Sequence, residues 1–81
     1  MEFLGGNIMV TVYTKPNCMQ CNFTKKYLTE KEIDFQTIDI TESEEALAKV
    51  KDMGFQAVPV IVAENEEAFY GFQPDRLAKL A

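Results

Sequence analysis

Lys15-Pro16-Asn17-Cys18-Met19-Gln20-Cys21 holds both cysteines of an 81-residue chain, separated by two residues. It follows the alternating apolar run Ile8-Met9-Val10-Thr11-Val12-Tyr13 and precedes a helical-looking segment from Phe23 to Lys31. The order is therefore a strand, a turn, and a dithiol opening a helix. Residues three apart on a helix lie about 5–6 Å apart at their β-carbons, so a small adjustment of the first turn brings the sulfurs to the roughly 2.0 Å of a disulfide. The pair can open and close without rebuilding the fold. A helix N-terminus carries about half a positive charge and unpaired N–H groups, which favours a thiolate at Cys18. Lys15 is a second candidate contributor. Cys21, one turn inside, is expected to be the more buried and less acidic thiol, suited to resolving a mixed disulfide.

Three other uses of two cysteines fit less well. A static disulfide belongs to an oxidising compartment. A zinc site needs about four Cys or His ligands, and with two Cys and no His a metal would have to be shared between chains. Inert structural thiols remain possible on spacing alone. A lone Cys-x-x-Cys between a strand and a helix, in a chain of mixed pattern, reads as a redox motif.

Outward from that stretch, both faces of the first strand carry apolar residues, which marks it as central. On the first helix Cys21, Phe23, Thr24, Tyr27 and Leu28 recur at three- and four-residue spacing, predicting one packed face with Phe23 and Tyr27 in the core. Ile33 to Ile40 alternates with period two, a second strand joined to the first by a parallel right-handed crossover. Thr41 with Glu44 has the spacing of a capping box, and Glu42, Glu44 and Glu45 suit a first helical turn, so that acidic cluster needs no metal. A second helix then runs to about Met53 with Ala46, Leu47, Val50 and Met53 buried, and Gly54 stops it.

Val58 to Val62 is a buried strand with Pro59 near its start, where the missing N–H is tolerated. Glu64-Asn65-Glu66-Glu67 turns the chain and Ala68 to Phe72 returns as a hairpin partner. Gly71 precedes a last helix opened by Pro74 and Asp75, with Leu77 and Leu80 inward. The sum is β-α-β-α-β-β-α, an α/β chain with a mixed four-stranded sheet and three helices on its two faces.

A single domain of this size buries about 60–65% of its unfolded surface. The formal charge of −5 and scattered basic residues argue against nucleic acid or an anionic membrane as partner and favour protein. The longest apolar stretch, Ala57 to Ala63, is far short of a membrane span, and no signal-peptide pattern opens the chain. A cytoplasmic monomer is expected.

Cys18-Met19-Gln20-Cys21 after the first strand and Val58-Pro59 before the third resemble the thioredoxin fold in its short, glutaredoxin-sized form. Within it, Tyr13-Thr14-Lys15-Pro16, the Gln20 of the dithiol loop, Val58-Pro59-Val60 and Gly71-Phe72-Gln73-Pro74-Asp75 are most similar to the NrdH-redoxins. Phe69, Tyr70 and Gln73 depart from that family's Trp, Ser and Arg. The resemblance covers residues 9–81, the expected redoxin domain; the segment before it fits no element and is broken by Gly5-Gly6, so residues 1–8 are expected to be a flexible N-terminal extension, native or left from cloning. The resemblance implies a cis bond before Pro59, with the Val58 backbone lining a groove that receives a peptide. Cys18 and Cys21 are the expected catalytic pair. Lys15, Met19, Gln20, Val58, Pro59, Gly71 and Phe72 are expected to line the groove.

The activity implied is dithiol–disulfide exchange with no bound cofactor or metal. NADPH would act indirectly through thioredoxin reductase, and the large subunit of class Ib ribonucleotide reductase would take the electrons through a cysteine-bearing C-terminal tail. A glutathione-dependent glutaredoxin, and a module sharing an iron–sulfur cluster through Cys18, are the rival readings.

Overall fold

The computed structural model describes residues 10–64 and 66–80. The N-terminal extension, Ile8 and Met9 of the expected first strand and Asn65 of the expected turn lie outside the described residues. The element order is β1 Val10–Thr14, α1 Met19–Glu30, β2 Phe35–Asp39, α2 Glu44–Asp52, β3 Val60–Ala63, β4 Glu66–Tyr70 and α3 Pro74–Leu77, continued by a 3-10 turn over Ala78–Leu80. This is the expected thioredoxin-fold order. The sheet runs β2-β1-β3-β4. β1 pairs parallel with β2 (Val12 opposite Thr37) and antiparallel with β3 (Val12 opposite Ile61), while β3 and β4 form the hairpin, its register shifting between Ile61 and Ala63. β1 is central, as its two apolar faces imply.

Side chains alternate across a strand, and that alternation sorts the apolar residues into two cores. Val10, Val12, Ile61, Ala63 and Phe69 meet Leu28, Leu77 and Leu80 on one face, so α1 and the C-terminal helix cover it. Tyr13 and Val60 meet Ala46, Val50 and both cysteines on the other, where α2 packs. Arg76, one turn into α3, places its guanidinium 5.0 Å from the centroid of Phe69 and covers that buried ring.

α1 starts at Met19, so the dithiol opens it as expected. Several boundaries and one core assignment differ from expectation. β3 starts at Val60, leaving Val58 and Pro59 ahead of it, and Glu66 and Glu67 belong to β4 rather than to the turn. Phe23 is 48% exposed instead of buried, and Tyr27 is half-buried. Both lie on the flank of α1, where a 3.6-residue period spreads an apolar stripe wider than the sheet covers.

The cap of α2 also differs. Ser43, not Thr41, is the N-cap, its Oγ accepting from Ala46 N at 3.1 Å. Thr41 instead turns back, its N–H and hydroxyl donating to Asp39 Oδ1 at 2.8 and 2.6 Å, a local side-chain turn that competes with capping. Gly54 has φ +89°, the left-handed stop anticipated for this helix.

Candidate functional site: a disulfide at a helix N-terminus

Asn17 takes the left-handed conformation, φ 61°, which asparagine tolerates better than most residues. The chain thereby turns from the exposed Lys15-Pro16 segment into α1 with Cys18 as N-cap. Cys18 is extended (φ −100°, ψ 108°), and its Sγ accepts the Cys21 N–H at 3.1 Å. A sulfur thus occupies the place that a serine or aspartate oxygen fills at other helix starts. Cys18 and Cys21 are disulfide-bonded, with Cα atoms 5.2 Å apart. Cys18 is 9% exposed and Cys21 fully buried, the asymmetry expected from their order in the helix.

A chain of contacts connects the disulfide to the remote part of the molecule. Cys18 Sγ lies 3.9 Å from Val58 O. The Val58-Pro59 bond is cis, as the resemblance implied. Pro59 O accepts the Gly71 N–H at 2.8 Å. Gly71 has φ +88°, a conformation that favours glycine, and lies beside Gln20 Oε1, which a Cβ there would meet at an ordinary contact distance of 3.4 Å. Next in the chain, Phe72 N–H donates to that same Gln20 Oε1 at 3.1 Å.

The main chain of Gln20 is itself held from below, since the buried Thr24 hydroxyl donates to its backbone carbonyl at 2.9 Å. The neighbouring turn is braced by Gln73 Nε2, which donates to Tyr70 O at 2.6 Å. In this way the tertiary structure brings Cys18, Cys21, Gln20, Val58, Pro59, Gly71 and Phe72 into one continuous group. Lys15 is exposed in the segment before Cys18, and no hydrogen bond among the described residues joins it to the group.

Beside the disulfide the surface is apolar. Met19 is 71% and Phe23 48% exposed. The Phe72 ring, half-buried, lies 5.9 Å from Phe23 and 6.3 Å from Tyr27, the second pair edge-on. Met19, Phe23 and Tyr27 are spaced four apart on α1, so they form one stripe that ends at the Cys18–Cys21 loop. Sequence reasoning assigned Phe23 and Tyr27 to the core and gave Thr24 no site role. The signals were the i, i+4 spacing of the stripe and the same spacing of Thr24 from Gln20, which lets a threonine hydroxyl reach back to a carbonyl. Among the described residues no group of three or more His, Cys, Asp or Glu could hold a metal ion, and no helix is long and apolar enough to cross a membrane.

A disulfide capping a helix beside a cis-proline loop defines a thioredoxin-fold redox protein, an oxidoreductase built on a cysteine pair. The glutaredoxin family model matches residues 10–68. The glutaredoxin-like protein NrdH of Lactococcus lactis subsp. cremoris is 56% identical over 73 residues, covering 90% of this chain and all of that protein. Among solved structures, the NrdH-redoxin from Escherichia coli superposes with a TM-score of 0.86 at 32% identity, covering 90% of this chain and 95% of that one. A glutaredoxin from Archaeoglobus fulgidus superposes with a TM-score of 0.77 at 26% identity, covering 88% and 83%. The chain belongs to the glutaredoxin family, in its NrdH-redoxin branch.

Proposed function

We propose that the protein is a dithiol–disulfide oxidoreductase that reduces disulfides of protein partners, with Cys18 as nucleophile and Cys21 as resolving thiol. The observation that carries the reading is the placement of Cys18 Sγ at the helix N-cap, accepting the Cys21 N–H at the edge of the surface. In the reduced protein that N–H and the helix dipole favour a thiolate on Cys18 over its neutral thiol. The thiolate attacks one sulfur of a partner disulfide, forming a mixed disulfide and releasing the other partner sulfur as thiolate. Cys21, deprotonated in turn, attacks Cys18 Sγ and releases the second partner sulfur. Two electrons pass to the partner, and the Cys18–Cys21 disulfide described above is the product state.

An incoming chain would lie along the Val58-Pro59 backbone, with Lys15, Met19, Gln20, Gly71 and Phe72 around it. The apolar stripe beside the disulfide suits a protein surface rather than a small polar thiol, because apolar area removed from water contributes about 25 cal/mol per Å². The thioredoxin-like activity profile of the glutaredoxin-like NrdH-redoxin from Escherichia coli supports the same direction.

Recharging by NADPH through thioredoxin reductase follows from that reading, as does the large subunit of class Ib ribonucleotide reductase as electron acceptor. The working place of such a carrier is the cytoplasm. The oxidised protein should consume NADPH quickly with thioredoxin reductase and slowly with glutathione and glutathione reductase. Faster turnover with glutathione would reverse the proposal in favour of a glutathione-dependent glutaredoxin.

A further inference from the structure

The turn over residues 71–74 borders the Val58-Pro59 loop, and two of its backbone donors are already committed. Gly71 gives its N–H to Pro59 O, Phe72 gives its N–H to Gln20 Oε1, and Pro74 has no N–H to give. The Phe72 bond is the unusual one. It joins residues 52 apart in sequence, and its acceptor is an exposed side chain from between the two cysteines.

An exposed glutamine gains little from a fixed rotamer, because ordering it costs roughly as much as one such hydrogen bond returns. Here one rotamer places Oε1 on the Phe72 N–H at 3.1 Å. The buried Thr24 hydroxyl donates to the Gln20 backbone carbonyl, which fixes the main chain from which the side chain extends. A backbone donor can be met only by the oxygen end of the amide, so the amide orientation is determined.

We infer that Gln20 is a specificity-determining residue: its amide oxygen occupies the Phe72 N–H beside the disulfide and so denies that donor to the carboxylate of a small thiol peptide such as glutathione. A small peptide buries little area and depends on its charged ends being held. A carboxylate would take an unoccupied N–H in a charge-assisted bond, about twice as strong as the neutral amide's. It must instead displace Gln20. A protein partner spreads its contacts over the apolar stripe and does not need this donor. The inference deepens the protein-disulfide reading and rests on it for its meaning in the cell.

The test is binding, with no electron transfer. Oxidised ¹⁵N-labelled wild-type, Gln20→Ala and Gln20→Glu proteins are titrated with S-methylglutathione, which carries the carboxylates but cannot exchange sulfur. Gln20→Ala should bind about tenfold more tightly than wild type, the gain of one newly available donor, and the Phe72 amide should shift during the titration. Its hydrogen exchange without ligand should also quicken. Gln20→Glu keeps an acceptor, adds a repelling charge, and should bind no better than wild type. Unchanged affinity in Gln20→Ala, or an equal gain in Gln20→Glu, would overturn the inference. Position 20 is exposed, so both variants should fold, and the amide spectra check this directly. Turnover of the wild-type protein with thioredoxin reductase, measured alongside, decides the proposed function separately from the titration.

Discussion

Truncating Phe23 separates two accounts of the first helix. Helical periodicity places the ring in the core, where Phe→Ala costs about 3–5 kcal/mol. The structure leaves it 48% exposed, tilted against Phe72 at 5.9 Å. About half of the transfer free energy of a buried phenylalanine is then at stake, roughly 1–1.5 kcal/mol. The ring pair adds about 0.5–1.5 kcal/mol, and alanine's better helix propensity returns about 0.5 kcal/mol. The net cost of Phe23→Ala should be about 1–2.5 kcal/mol, from a total stability on the order of 4–12 kcal/mol for a chain this long.

Urea melts of the oxidised wild type, Phe23→Ala, Phe72→Ala and the double variant form the assay. The cycle should return a coupling energy of about 0.5–1.5 kcal/mol, because each ring loses the same partner. A Phe23→Ala cost above about 3 kcal/mol would return the ring to the core. Additive single costs would refute the pairing with Phe72.

Cys21→Ser should trap a covalent adduct with a disulfide-bearing substrate peptide, whereas Cys18→Ser should form none; mass spectrometry decides, and a stable adduct through residue 21 would exchange the two roles. Ser43→Ala should cost about 1 kcal/mol in a denaturant melt as loss of the α2 cap, with Thr41→Ala costing clearly less. The reverse order would restore Thr41 as the cap. Thr24→Val keeps the shape but removes the donor to Gln20 O, and should cost about 1 kcal/mol; no loss would mean that the hydroxyl does not brace the loop.

Element order, the central place of β1 and the location of the dithiol could be read from local pattern, because a period of two or 3.6 and a Cys-x-x-Cys are written within ten or so neighbouring residues. The depth difference between Cys18 and Cys21 follows in the same way, since one turn of helix separates an N-cap from an interior position. How far the sheet extends under a helix face is not a local property. Phe23 and Leu28 lie on the same apolar face in sequence, yet one is 48% exposed and the other fully buried, because only the three-dimensional edge of the sheet decides where cover ends.

The α2 cap depended on competition between two hydroxyls two residues apart, Thr41 being captured by Asp39 and Ser43 left to accept Ala46 N–H. Periodicity carries no information about which hydroxyl wins. The bond between Gln20 and Phe72 joins residues 52 apart; it exists because the Val58-Pro59 loop, held to Gly71 by Pro59 O, brings the later turn beside the cysteines. A local pattern can name the residues that carry sulfur chemistry. Which distant donors are committed before a ligand arrives is decided by long-range packing, since a hydrogen bond of about 3 Å forms only after both segments have been placed.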